Sequence, residues 1–239
     1  DHLKLNLQMD VLNAGFRVND KTYISFGFYQ ELDAIAYWPK DVITFLNEGN
    51  ASYLNKSFDL SQIVFKADFV GALHVGVSRK INSKLTLGGR FKIYSSTLNL
   101  ETQNNSGTLT TQRGSNNIYT HYLNTIDMNF LSAGLVENDE FLENPLELIT
   151  NSFLGGSLGV GLDFGMTYHF SPRLEFTGSI IDFGYINYSK KVQNSNVKGS
   201  YTFEGVNFVF DATNPTNYWE ILNVDFEEKV PRENNTNPY

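Results

Sequence analysis

Nine ionisable side chains stand on the polar phase of an alternating pattern: Lys66, Asp68, His74, Arg90, Lys92, His121, Asp127, Asp163 and His169. Three carboxylates, three permanent cations and three histidines could line a polar path for a solute. More plainly, they could wet one face of a sheet and neutralise one another as ion pairs, which is the expectation adopted here. Asp163 and Asp182 lie in glycine-containing runs, suited to hydrogen-bonding a bulge or an internal segment. Gly159, Gly161 and Gly165 would let such a segment approach closely. Catalysis is not expected, since no G-x-S-x-G occurs and none of the four histidines adjoins an evident nucleophile. With no cysteine, and no EF-hand spacing in the acidic stretches 137–147 and 220–233, neither a metal nor a cofactor is expected.

These residues need strands to position them. Leu3, Leu5, Leu7, Met9 and Val11 alternate with Lys4, Asn6, Gln8 and Asp10, which gives one apolar and one polar face. A turn at Asn19-Asp20-Lys21 leads to Ile24, Phe26 and Phe28 against Ser25, Gly27 and Tyr29. The run 62–78 places Phe65, Ala67, Phe69, Leu73, Val75 and Val77 opposite Lys66, Asp68 and His74. After Asn82-Ser83-Lys84, Leu85, Leu87, Phe91 and Ile93 oppose Arg90 and Lys92. A fifth run covers about 118–131. The sixth, 158–170, keeps an unbroken apolar face from Leu158 to Phe170. Ser171-Pro172-Arg173 turns into a seventh, whose phase slips at Ile180-Ile181-Asp182 and so predicts a bulge. An eighth spans about 197–210.

Composition agrees with an all-β chain. The 239 residues include 27 Asn and 19 Gly, only 18% are charged, and 14% are aromatic. A net charge of −8 excludes nucleic-acid binding by bulk electrostatics. No run reaches the roughly 18 apolar residues of a membrane helix, and no apolar leader opens the chain, so any signal peptide is expected to be already removed. Both a soluble sandwich and a membrane barrel produce alternation. Three features favour the barrel. Strands exceed the roughly 5–6 residues usual in globular sheets, and their apolar faces carry no charge. Tight turns at 19–21, 82–84 and 171–173 also contrast with long connections at 30–60 and 97–117. Aromatics near the turns (Phe16, Tyr23, Tyr168, Phe170) are a weaker sign of interfacial girdles.

Short helices are expected at 39–48, after Pro39, and at 144–149, where Asn144 caps and Pro145 takes the first helical position. Strict alternation of direction puts the turn at 171–173 on the wrong end if it follows a sixth strand. Either 132–156 crosses the lumen as a plug or hides a strand, or that turn is an outer loop. The polar stretch 211–239 reads as a connecting segment, in which Trp219, Ile221, Leu222 and Phe226 could form one amphipathic element. About eight strands and this ending suggest a single barrel domain over 1–239 that is incomplete at its C-terminus.

The run Gly159-Val160-Gly161-Leu162-Asp163-Phe164-Gly165-Met166-Thr167-Tyr168, then Ile180-Ile181-Asp182-Phe183-Gly184-Tyr185, then Tyr201-Thr202-Phe203-Glu204-Gly205-Val206, resembles a family of uncharacterised outer-membrane β-barrels. That family occurs in bacteria that use type IX secretion, and it is distantly similar to long-chain fatty-acid transporter barrels. The resemblance is specific over about 155–210 and general over 1–130. It implies a bacterial outer-membrane location, contact with lipid and with other outer-membrane proteins, and further strands beyond Tyr239. The expected role is an accessory or structural part of a secretion or assembly complex. The alternative is a transporter or channel for hydrophobic or small substrates.

Overall fold

The computed structural model describes residues 1–49, 52–114, 119–137, 140–141, 145–205 and 217–239. The protein is all-β, with 67% of residues in strands, and builds an antiparallel ten-stranded sheet. β1 (His2–Asn19) pairs with β2 (Thr22–Tyr37), as the turn at 19–21 predicts. β2 runs on to Tyr37 rather than ending near residue 29. The connection that follows holds α1 (Lys40–Glu48), just after Pro39, and β3 (Ser57–Asp59). β4 (Val64–Lys80) lies beside β2 in unbroken register from Thr22↔Arg79 to Tyr37↔Val64.

β5 (Leu85–Arg113) corrects the expectation of a loop at 97–117: it is a 29-residue strand. Its second half is Thr-, Asn- and Gln-rich. Its register with the following strand slips twice between Gln103 and Thr108, which throws Leu98 and Leu100 out of phase with Leu109, so no steady apolar alternation marks it, while its threonines still favour extended backbone. β6 (Tyr119–Ala133) returns along Asn99–Arg113. β7 (Val136–Glu137) and β8 (Glu140–Phe141) form a minute hairpin, and α2 (Pro145–Asn151) follows. Asn144, the expected cap, lies outside the described residues. β9 (Ser157–Ser171) then pairs with the first half of β5, Leu85–Ser96.

This arrangement resolves the direction of the turns. β6 and β9 both run antiparallel to β5, one after the other, so they are two halves of one lane. The turn at 171–173 therefore follows the fifth lane and lies at the same end as the turns at 19–21 and 82–84. β10 (Leu174–Ile186) pairs with β9, and β11 (Asn194–Phe203) continues the sixth lane beside β6. Residues 206–210 of the expected eighth strand lie outside the described residues. The stretch read as a polar connection contains α3 (Tyr218–Lys229) and β12 (Arg232–Asn235). In α3, Phe226 packs edge-on against Tyr201, whereas Trp219 and Ile221 are exposed, so these residues do not share one buried face. Among the described residues the sheet does not close, since β1 pairs only with β2 and β10 only with β9.

Register sorts the side chains into rows across six strands. Leu12, Phe28, Leu73, Ile93, Val160 and Tyr185 form one apolar row. Ala14, Phe26, Val75, Phe91, Leu162 and Phe183 form the next, and Phe16, Ile24, Val77, Gly89, Phe164 and Ile180 a third. Most of these side chains are exposed, up to 71% at Phe183. Left in water, about a dozen such residues at about 1 kcal/mol or more each would forfeit as much as a domain's whole stability, about 5–15 kcal/mol.

Candidate functional site: the polar concave face

The opposite face carries the chemistry. It is concave: Lys4 and Asp33 at one side of the sheet line the same cavity as Asp182 and Ile186 on β10. Six of the nine sequence candidates lie on it within the first four lanes and β9: Lys66, Asp68, His74, Arg90, Lys92 and Asp163. His169 lies near the turn end, 2.9 Å from Glu175. His121 and Asp127 stand on β6, away from the cluster. His121 bonds Thr111 and stacks on Phe203. The Asn196 amide, then the Lys198 ammonium, hold the Asp127 carboxyl below its ordinary range.

Lys92 is the centre of the face. Its side chain is 4% exposed, and Nζ lies 2.9 Å from Asp163 Oδ1 and 2.6 Å from Asp182 Oδ1. The Tyr94 hydroxyl donates to Asp182 at 2.6 Å, and the Asp182 N–H donates to Asp163 at 2.9 Å. Arg90 stands 3.9 Å from the other Asp163 oxygen. Asp182 has φ 56° and sits where the β9–β10 register slips between Ile180 and Phe183. This is the expected bulge, and it turns a carboxylate inward onto a lysine that would otherwise be buried with one partner. A buried charge needs such pairing. Gly161 lacks the Cβ that would strike the Tyr94 ring, so the room left by that glycine is taken by a neighbouring phenol. Tyr29 rests beside Lys92 and His74. His74 is buried, and its Nδ1 has no hydrogen-bond partner among the described residues.

A second knot lies higher on the same face. Asp68 accepts from Ser96 at 2.7 Å, from Asn99 at 3.4 Å and from the Tyr188 hydroxyl. Tyr239 stacks on Tyr188 and donates to Asn99 Oδ1 at 2.6 Å. Between the knots lies a cavity of about 510 Å³. Sequence reasoning missed Tyr29, Tyr94, Tyr188 and Tyr239. The first two were in phase with Glu31 and Lys92, a signal that was available. The last two are placed by loops and carry no periodicity.

Residues 145–156, from the segment read as a plug, pack on the apolar face instead. Gln30 donates to Ile149 O and Ser152 Oγ, Ser95 to Asn151 O, and Thr97 to Leu148 O. Phe153 meets Phe28 edge-on at 5.0 Å, and Gly71 leaves space for the Ser152 carbonyl. The row Gln30–Gly71–Ser95 is thus the one polar interruption of the apolar face there, and it satisfies the segment's backbone. Lys191, 2.9 Å from Glu147, holds that carboxyl below its usual range.

Every strong charge in the central knot is engaged by a partner, which suits it to positioning rather than to proton or group transfer. Among the described residues no three His, Cys, Asp or Glu side chains gather to hold a metal ion. No curated protein and no solved structure matches the chain. A family model described as a family of unknown function, DUF5723, matches residues 1–239.

Proposed function

The chain belongs to this family of unknown function, and from its geometry we propose that it forms the wall of a bacterial outer-membrane β-barrel, serving as a structural or accessory part of an outer-membrane complex. The uncharged apolar belt carries this reading. Eight residues separate the row of Gln30 from that of Thr22. At about 3.4 Å each and a tilt of about 40° they span about 21 Å, against about 25 Å for a barrel's apolar band. Arg79, on the same face as the belt, stands at the turn end, where its long side chain can reach headgroups. At the other end Leu146, Ile149, Phe153 and Leu154 of the docked segment are exposed beside the belt, placed to enter the interfacial layer. Tyr168 and Phe170, edge-on at 4.7 Å, suit the interface near the turns. Lipid cannot satisfy the free edges of β1 and β10, so in a membrane both are paired by further strands, from this protein or another.

The decisive experiment is refolding into liposomes. Tryptophans placed at Val75 and Phe153 should be quenched by brominated acyl chains, Val75 more strongly by deep bromines and Phe153 by shallow ones. Absence of quenching at Val75 would remove the membrane reading. The cavity favours a second reading, passage of small solutes. Conductance in planar bilayers supports passage, and co-purification with an outer-membrane assembly supports the accessory role.

A further inference from the structure

We propose that the cavity on the concave face binds a saccharide of one or two rings. Its volume, about 510 Å³, falls within the range of about 300–1,000 Å³ common for small-molecule sites. The floor is apolar: Val70, Ala72 and Ile186 pack with the rings of Tyr29 and Tyr94. The rim is polar and of mixed sign, with Glu31 and Asp33 on β2 facing Lys4 and Lys66. Sugar rings divide in the same way. One face of C–H groups packs on an aromatic ring, and an edge of hydroxyls both donates and accepts.

The state of the carboxylates decides among ligand classes. Asp68 takes three donors over its two oxygens, whereas Asp182 takes Lys92 and Tyr94 both on Oδ1 and keeps Oδ2 for a ligand. Glu31 and Asp33 share a single amide, that of Asn6, at 2.8 and 3.2 Å. They therefore keep acceptor capacity for ligand hydroxyls. An anion would meet these two carboxylates. A small organic cation would bring only donors to a rim that already holds the ammonium groups of Lys4 and Lys66. A fatty chain would strip water from the rim charges without replacing their hydrogen bonds. A neutral polyol avoids all three penalties.

The proposal stands on the cavity, not on the membrane placement. Labelled, folded protein in detergent is applied to an array of neutral and amino oligosaccharides, with spermine and palmitate as competing classes. Glycan binding is expected, confirmed by calorimetry with the free sugar. The paired change Glu31→Gln and Asp33→Asn should weaken it about tenfold or more, while Asp225→Asn, on α3, leaves it unchanged. A free oligosaccharide and the same sugars on lipopolysaccharide are compared to separate a solute from a membrane glycan. No glycan bound by protein with intact strand circular dichroism and melting, or binding indifferent to the rim pair, overturns the proposal. Binding of spermine or palmitate alone also overturns it. Liposome insertion of the same sample is scored separately, so the two readings can fail independently.

Discussion

Lys92 Nζ meets Asp182 Oδ1 at 2.6 Å across ninety residues of chain, joining the first half of β5 to the bulge of β10, two lanes away. The bond engages the residue at which β10 slips register against β9. Replacing Lys92 by Met should leave Asp163 and Asp182 facing each other with their main countercharge gone. Since Asp182 is half exposed, the expected loss is about 2–3 kcal/mol, below the value for a fully buried pair. Urea unfolding of Lys92→Met, Asp182→Asn and the double variant should reveal strong coupling. Additive losses would mean that the two side chains do not act as a pair.

Gly71 should tolerate no side chain. A Cβ there would collide with the Ser152 carbonyl, so Gly71→Val should lift 145–156 off the sheet and cost about 1–3 kcal/mol. Limited proteolysis should cut the variant within 145–156 well before the wild type. Equal cutting rates would mean that the docking is not maintained by this contact.

The same segment should loosen in acid. Glu147 is held low by Lys191. A carboxyl with a lowered folded-state pKa contributes stability above its unfolded value, and loses it as pH falls below about 4.5 towards the folded value. Proteolytic protection of 145–156 should therefore be full at pH 7 and reduced at pH 3. Glu147→Gln should already be less protected at pH 7 and show no comparable acid step.

The two faces should respond differently to a charge. Val75→Arg, in the middle of the belt, should destabilise the protein in lipid by about 2–4 kcal/mol, whereas Ser78→Arg, on the concave face, should cost about 1 kcal/mol or less. Unfolding midpoints in liposomes measure this, and equal costs would remove the belt assignment.

Alternation makes much of the sheet readable, because residues such as Leu73 and Val75 share one face while Lys92 and Asp163 share the other. The docked segment left no such trace. Its apolar Phe153 and polar Ser152 answer to Phe28, Gln30 and Gly71, far away in sequence, and nothing local announces that pairing. The upper half of β5 is hidden for another reason: the register slips twice between Gln103 and Thr108, so Leu98 and Leu100 fall out of phase with Leu109 and periodicity disappears although the strand continues. The same loss of pattern concealed that β6 and β9 share a lane.

That shared lane bears on the order of assembly. The upper half of β5 closes on β6 across a few residues, from Arg113 to Tyr119, whereas its lower half must capture β9 from Ser157 onward, some sixty residues away. Loop-closure entropy favours the short closure. The upper hairpin should therefore zip first and hold β5 extended as a template, with β9 and β10 arriving later to complete the lower storey.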